Sequence, residues 1–244
     1  ALNKQGILMP RFQFKEILER LEGIFRKLKG RKVEKVVILG DLKHEFGTIS
    51  EQEWRHTLRL LDYLGQHYRE IILIKGNHDT ILGPIAEKRK VQVRDYYIIE
   101  PIKNYKRMPI ITKTNNKDKS KIANISKALK KLKVTEKDGK KNKNKILCLH
   151  GDKIPSKELL KGVSTIVIGH EHPAVSIKDG PRAELFKCFL AGKWKGKSLI
   201  VVPAFNLVTE GTDIMKERLL SPFLKGNLRK LKVVVAADKL YDFG

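Results

Sequence analysis

The chain has 244 residues, and 51 Lys and Arg against 27 Asp and Glu give it a formal net charge of +24. No apolar run approaches the ~18 to 20 residues of a membrane-spanning helix, no charged-then-apolar leader opens the sequence, and two cysteines are too few for a disulfide framework. The expectation is a soluble, cytoplasmic α/β protein whose charge favours polyanions (nucleic acid, an anionic surface or phosphate esters), the other reading being a Lys-rich composition set by genome bias or a hot habitat.

Residues Phe12 to Lys29 carry Ile17, Leu18, Leu21, Ile24, Phe25 and Leu28 at helical spacing, with Gly30 just beyond, which predicts an amphipathic helix. Val36-Val37-Ile38-Leu39 reads as a buried strand and runs into Gly40-Asp41-Leu42-Lys43-His44. Ser50-Glu51-Gln52-Glu53 has the form of a capping box and opens a helix to about Leu64. The next strand, Ile71-Ile72-Leu73-Ile74, delivers Gly76-Asn77-His78-Asp79. Strand, helix and strand in this order form a right-handed parallel crossover. Two shorter strand-like pieces follow, Val91 to Val93 and Tyr96 to Ile99.

From Lys103 to Lys145 there are 16 Lys or Arg and 3 Asp or Glu. Ile122, Ile125, Leu129 and Leu132 recur there at helical spacing, so a Lys-studded helix is expected, flanked by a turn from Asp138 to Lys145. Contact with a phosphate backbone and a merely solvated loop are both open readings of this stretch. Ile146-Leu147-Cys148-Leu149 and Thr165-Ile166-Val167-Ile168 read as strands ending in His150-Gly151-Asp152 and Gly169-His170-Glu171-His172. Beyond them the chain reads as antiparallel: Leu185 to Leu190 and Ser198 to Val202 flank a turn holding residues 192–197, and a last strand spans Leu231 to Ala236. Both cysteines fall in strands and read as buried small side chains.

Four polar strings thus end four apolar strands. In open α/β sheets the carboxyl ends of strands line the ligand crevice. Asp, Asn and His together there suit a first-row divalent metal, because carboxylate, amide oxygen and imidazole all ligate such ions. His170 and His172, at i and i+2, would leave a strand on the same side.

In this order, on alternating elements, the strings resemble the calcineurin-like metallophosphoesterases, most closely their archaeal SbcD-related branch. The resemblance extends to Val202-Pro203-Ala204-Phe205-Asn206 and Leu219-Leu220-Ser221-Pro222-Phe223-Leu224. It implies a four-layer α/β/β/α sandwich, here lacking its first strand, as a single domain over 1–244 with a basic insertion at about 103–145. It implies hydrolysis of phosphodiester bonds, of nucleic acid above all, by metal-activated hydroxide. Two divalent ions are expected, Mn2+ foremost, with Zn2+, Fe2+ or Ni2+ as alternatives. Asp41 would bridge both ions, Asn77, His150 and His170 would complete one shell, and His172 would ligate the second ion. His78 would contact the scissile phosphate and protonate the leaving oxygen, with Asp79 orienting its imidazole. Lys43 and His44 either touch substrate phosphate or sit in a solvated loop.

One family motif is absent: no Asp-x-His occurs anywhere in the sequence. Together with the start at Ala1, this gives the expectation that an upstream strand is missing, the other explanation being a natural protein without it. Without that motif Asp41, Asn77, His150 and His170 would hold one ion. The rival readings are a noncatalytic nucleic-acid-binding protein on a degenerate scaffold and a phosphodiesterase for small nucleotides. Among the remaining candidates, His56 and His67 read as structural and Glu171 as a neighbour of the ligands or a surface residue. Asp152 reads as a helix cap or a partner of a ligand histidine. Trp194 reads as a cap on the sheet or a stacking platform for a base.

Overall fold

The computed structural model describes residues 13–28, 33–42, 51–79, 83–89, 91–100, 144–179, 181–206, 209–226, 231–236 and 240–242. Helix α1 (Gln13–Leu28) precedes strand β1 (Lys35–Ile38), helix α2 (Glu51–His67) and strand β2 (Glu70–Ile74). Val36 pairs with Ile71 and Ile38 with Leu73 in a parallel register, as the crossover requires. Helix α3 (Gly83–Lys88) leads to β3 (Gln92–Arg94), which adds to β2 in parallel.

The alternation of β2 explains the layering. Ile71 and Leu73 join Leu58 and Leu61 of α2 and Ala86 of α3 in one apolar cluster. Ile72 and Ile74 point to the opposite face by the two-residue period and are fully buried as well. A parallel sheet covered on both faces is the expected result. Helix α1 packs through rings: Phe14 stacks on His56 at 4.8 Å and Phe25 on His67 at 4.4 Å. These two histidines are therefore packing residues, as read from the sequence.

Among the described residues the second sheet has nine strands. Strand β4 (Tyr96–Ile99) pairs antiparallel with β5 (Lys145–Leu149), which is parallel to β6 (Val163–Ile168). Strand β7 (Pro173–Asp179) pairs antiparallel with β8 (Arg182–Trp194), which pairs antiparallel with β9 (Lys197–Val201). Short β10 (Thr212–Asp213) adds to β7, β11 (Lys232–Ala236) to β8, and β12 (Leu240–Asp242) to β11. The sheet's core holds Leu147, Ile166, Ile168, Leu190, Leu199 and Val201, closed by Phe223 and Leu224 of a 3-10 helix, Pro222–Leu224. The whole is a mixed α/β fold with sheets flanked by helices. Among the described residues no α-helix is long and apolar enough to cross a membrane.

Several expectations are corrected. The second half is not simply antiparallel: β9 runs parallel to β6. Strand β8 reaches Trp194 rather than Leu190, because the turn falls on Lys195 and Gly196 (φ 45 and 79), a two-residue hairpin whose positive angles match strand twist. Strand β7 was hidden by Pro173, tolerated as a first strand residue. No helix follows Asp152 among the described residues, so it caps none; it pairs with Lys153 at 3.7 Å. Trp194 packs on Phe223 at 4.8 Å, a cap on the sheet. The predicted helix over 122–132 lies outside the described residues. Ile99 pairs with Ile146, so Glu100 and Asn144, flanking the basic stretch, sit at the end of β5 remote from His150.

Candidate metal centre

Strands β1 and β2 are parallel neighbours, so their following loops, Gly40–Asp41 and Gly76–Asp79, must lie side by side. The same holds for β5 and β6, which bring the His150 and His170 loops together. The sheets meet at these ends: a Cβ on Gly169 would lie 3.3 Å from Cβ of Leu39. Four polar loops thereby converge, and Asp41, His150 and His170 have ligand atoms within 4.8 Å of one another.

His150 is the hub. Its Nε2 lies 3.2 Å from Oδ2 of Asp41, 2.9 Å from Oδ1 of Asn77 and 3.0 Å from Nδ1 of His170. Its Nδ1 lies 2.7 Å from the Leu39 carbonyl, to which it donates. That bond selects the tautomer with an Nε2 lone pair aimed at the other three donors, the usual arrangement of a metal-ligating histidine. Four lone-pair donors facing one another at such distances repel unless a cation or a proton sits among them. In an octahedral shell with bonds of about 2.1 Å, neighbouring ligand atoms are roughly 3 Å apart. The spacing fits that shell, and carboxylate, amide and two imidazoles suit a divalent transition metal.

Electrostatics agrees. Burial works to raise the Asp41 carboxyl, but the hydrogen bond to His150, the charge of that ring and the His78 amide together outweigh this and hold it below the usual carboxylate range. Burial works to lower His150, yet the Asp41 bond and the Leu39 carbonyl leave it raised, so without an ion a proton is favoured at Nε2 facing Asp41, the proton that a metal would displace. Burial and the neighbouring His150 push His170 down, towards the neutral form a metal needs.

The backbone is strained where the ligands are. Among the described residues four non-glycines have positive φ, and three are predicted ligands: Asp41 (φ 54), His170 (φ 40) and His172 (φ 50). Strain of this kind clusters at functional sites. Close approach explains Gly76: a Cβ there would lie 2.1 Å from Oδ1 of Asp41. Only glycine leaves room for that carboxylate.

Asp79 is buried and its carboxylate knits two loops together. Oδ2 accepts from the amides of Asp41 at 2.6 Å and Gly76 at 3.0 Å, and Oδ1 accepts from Leu42 at 3.0 Å. The His78 amide donates to Oδ1 of Asp41 at 3.1 Å, and its side chain is half-buried beside the cluster. His172 is half-buried between the turn at 170–171 and β7, not on a strand, so the same-side rule for i and i+2 does not govern it; its carbonyl accepts from Thr212 at 2.9 Å. Glu171 is a buried residue rather than a surface one. Lys43 and His44 lie outside the described residues. Two groups were missed in sequence: the Leu39 carbonyl, which has no residue-type signal, and Ser221, fully buried, whose Oγ donates to the Gly151 carbonyl at 2.8 Å.

A model of the calcineurin-like phosphoesterase family matches residues 11–189. No curated protein matches the sequence. Among solved structures, the nuclease MPE of Pseudomonas putida is similar at 17% identity and a TM-score of 0.51, over 96% of this chain and 81% of that one. Vps29 of Entamoeba histolytica, solved with zinc, aligns at 13% identity and a TM-score of 0.35, over 91% of this chain and 89% of that one.

Proposed function

The chain belongs to the calcineurin-like phosphoesterase family, and from that membership we propose that it is a divalent-metal-dependent phosphodiesterase acting on nucleic acid, as a single unit over residues 1–244. The observation that carries the reading is the convergence of Asp41, Asn77, His150 and His170 on one point. These four would hold one divalent ion, Mn2+ foremost, and His172 with Asp41 would serve a second. When bound, such ions polarise phosphoryl oxygens and lower the pKa of water.

The protein's own groups do the rest. The His78 backbone is pinned to Asp41, which keeps its imidazole close to Asp41 and His170, where it would donate a proton to the leaving oxygen. Asp79 keeps the two loops in register through three backbone amides, which fixes His78 relative to Asp41. The net charge of +24 supports a polyanionic substrate. The neighbouring P. putida fold is that of a nuclease, which supports the same substrate class and is compatible with the SbcD-related branch.

The test is hydrolysis of a chromogenic phosphodiester and of single- and double-stranded DNA, with and without Mn2+. His78→Ala should keep metal binding and lose turnover; undiminished activity would remove His78 from the chemistry. Asp41→Asn should lower metal content in elemental analysis. The alternative reading is a noncatalytic nucleic-acid-binding protein on the same scaffold. DNA binding without metal-dependent hydrolysis would select it.

A further inference from the structure

The turn His170-Glu171-His172 holds two histidines in the left-handed region, a conformation that persists only where the surroundings over-determine it. Part of the constraint is local: the Glu171 amide donates to the Gly169 carbonyl and the Gly169 amide to the His150 carbonyl at 2.9 Å. More arrives from residues 211–221, which lie beyond the stretch matched by the family at 11–189.

Glu171 is 1% exposed, and its Oε2 accepts from the amides of Leu220 at 2.9 Å and Ser221 at 2.7 Å. Ser221 then donates through Oγ to Gly151, the residue after His150. At the other end of this strap the Thr212 amide donates to the His172 carbonyl. Gly211 (φ 105) permits that approach, since a Cβ there would fall 2.4 Å from the same carbonyl oxygen. The strap is itself fixed to the sheet. Buried Asp213 accepts from the Ser176 hydroxyl and the Met215 amide, and the Ile214 amide donates to Ala174.

We infer that residues 211–221 are a buttress for the metal loops and that Glu171 is its anchoring, positioning residue, holding His170 in ligand geometry without itself touching the ion. A buried carboxylate that accepts two backbone amides makes strong, directional bonds, and here both donors belong to the strap. The side chain sits between two predicted ligands yet turns away from them, which frees it to tie the turn to the strap. Ser221 extends the tie to the His150 loop, so one short segment grips both histidine loops of the second sheet. This inference rests on the metal-centre reading above.

The experiment is calorimetric titration of the whole chain with MnCl2, alongside thermal unfolding in EDTA. It compares the wild type with Glu171→Ala, Glu171→Gln and Ser221→Ala. Loss of a group that orients a ligand weakens metal affinity by about 10- to 100-fold, and that is the result expected of Glu171→Ala. Glu171→Gln keeps an acceptor oxygen for both amides and should recover most of the affinity. Ser221→Ala should weaken Mn2+ binding by a smaller factor, and it decides the matter if Glu171→Ala does not fold. Lowered unfolding temperatures with wild-type Mn2+ affinity in both Glu171→Ala and Ser221→Ala would overturn the buttress while leaving the metal centre standing. A wild-type chain that binds no Mn2+ would remove the metal centre, and the buttress with it.

Discussion

Gly76→Ala is a sharp perturbation of the metal centre, because the three atoms nearest the added methyl group all belong to Asp41. Its Cβ would lie 2.1 Å from Oδ1 and 2.5 Å from the backbone nitrogen of Asp41. Real Cβ contacts do not fall below 3.0 Å, so Oδ1 must retreat by about 0.9 Å to reach even that limit. Coordination tolerates deviations of about 0.2 Å. Oδ2, the oxygen that faces His150, shares the carboxylate and is carried with it, and the His78 amide loses its acceptor, Oδ1 of Asp41. A misplaced ligand costs at least about 10-fold in metal affinity, or ~1.4 kcal/mol. Titration with Mn2+ should show that loss in Gly76→Ala, with the protein still folded by circular dichroism. Mn2+ affinity within twofold of wild type in a folded Gly76→Ala protein would refute both the packing of Gly76 on Asp41 and the carboxylate's role as a ligand.

Asp79→Asn leaves one acceptor oxygen where two now serve three amides. At least one buried N–H loses its partner, so urea unfolding should show a loss of about 1–3 kcal/mol. For pH, the relevant pair in metal-free protein is Asp41 and His150. Asp41 is held below its ordinary 3.8, so its contribution is present above that value and fades as pH falls through the depressed one. His150 is raised above 6.5, so its contribution is complete below 6.5 and fades as pH rises through the folded value. In EDTA, the stability difference between wild type and Asp41→Asn should therefore peak between pH 3.8 and 6.5 and shrink on the alkaline side; a difference flat with pH would count against the pair. Burial pushes the Cys148 thiol up to about 11 and Cys188 up to about 12. Neither should react with a thiol reagent at pH 8 until the chain unfolds, and prompt labelling of native protein would contradict the core assignment.

The β1–α2–β2 unit and the helix before it were legible in the sequence because each element carries a local signal: helical spacing in α1, a capping box opening α2, and short apolar runs in β1, β2, β5 and β6. The four polar strings stood out for a related reason, since each interrupts an apolar run where a strand must end. Strand β7 and the true length of β8 were not legible. Pro173 at the head of β7 and Gly180-Pro181 just before Arg182 read as breakers, and pairing with neighbours is what makes these segments strands. Glu171 and Ser221 were equally opaque, because their bonds span 50 and 70 residues of chain.

Local composition determined which residue types arrive at which strand ends, since strand and helix periodicity is a property of neighbouring residues. Tertiary structure decided which atoms face one another. The hub role of His150 depends on a carbonyl 111 residues away. The left-handed turn at His170–His172 depends on a strap that reaches it from residues 211–221. Hydrogen bonds between distant segments form only once the sheets have brought their ends together, and no local pattern in the chain encodes that meeting.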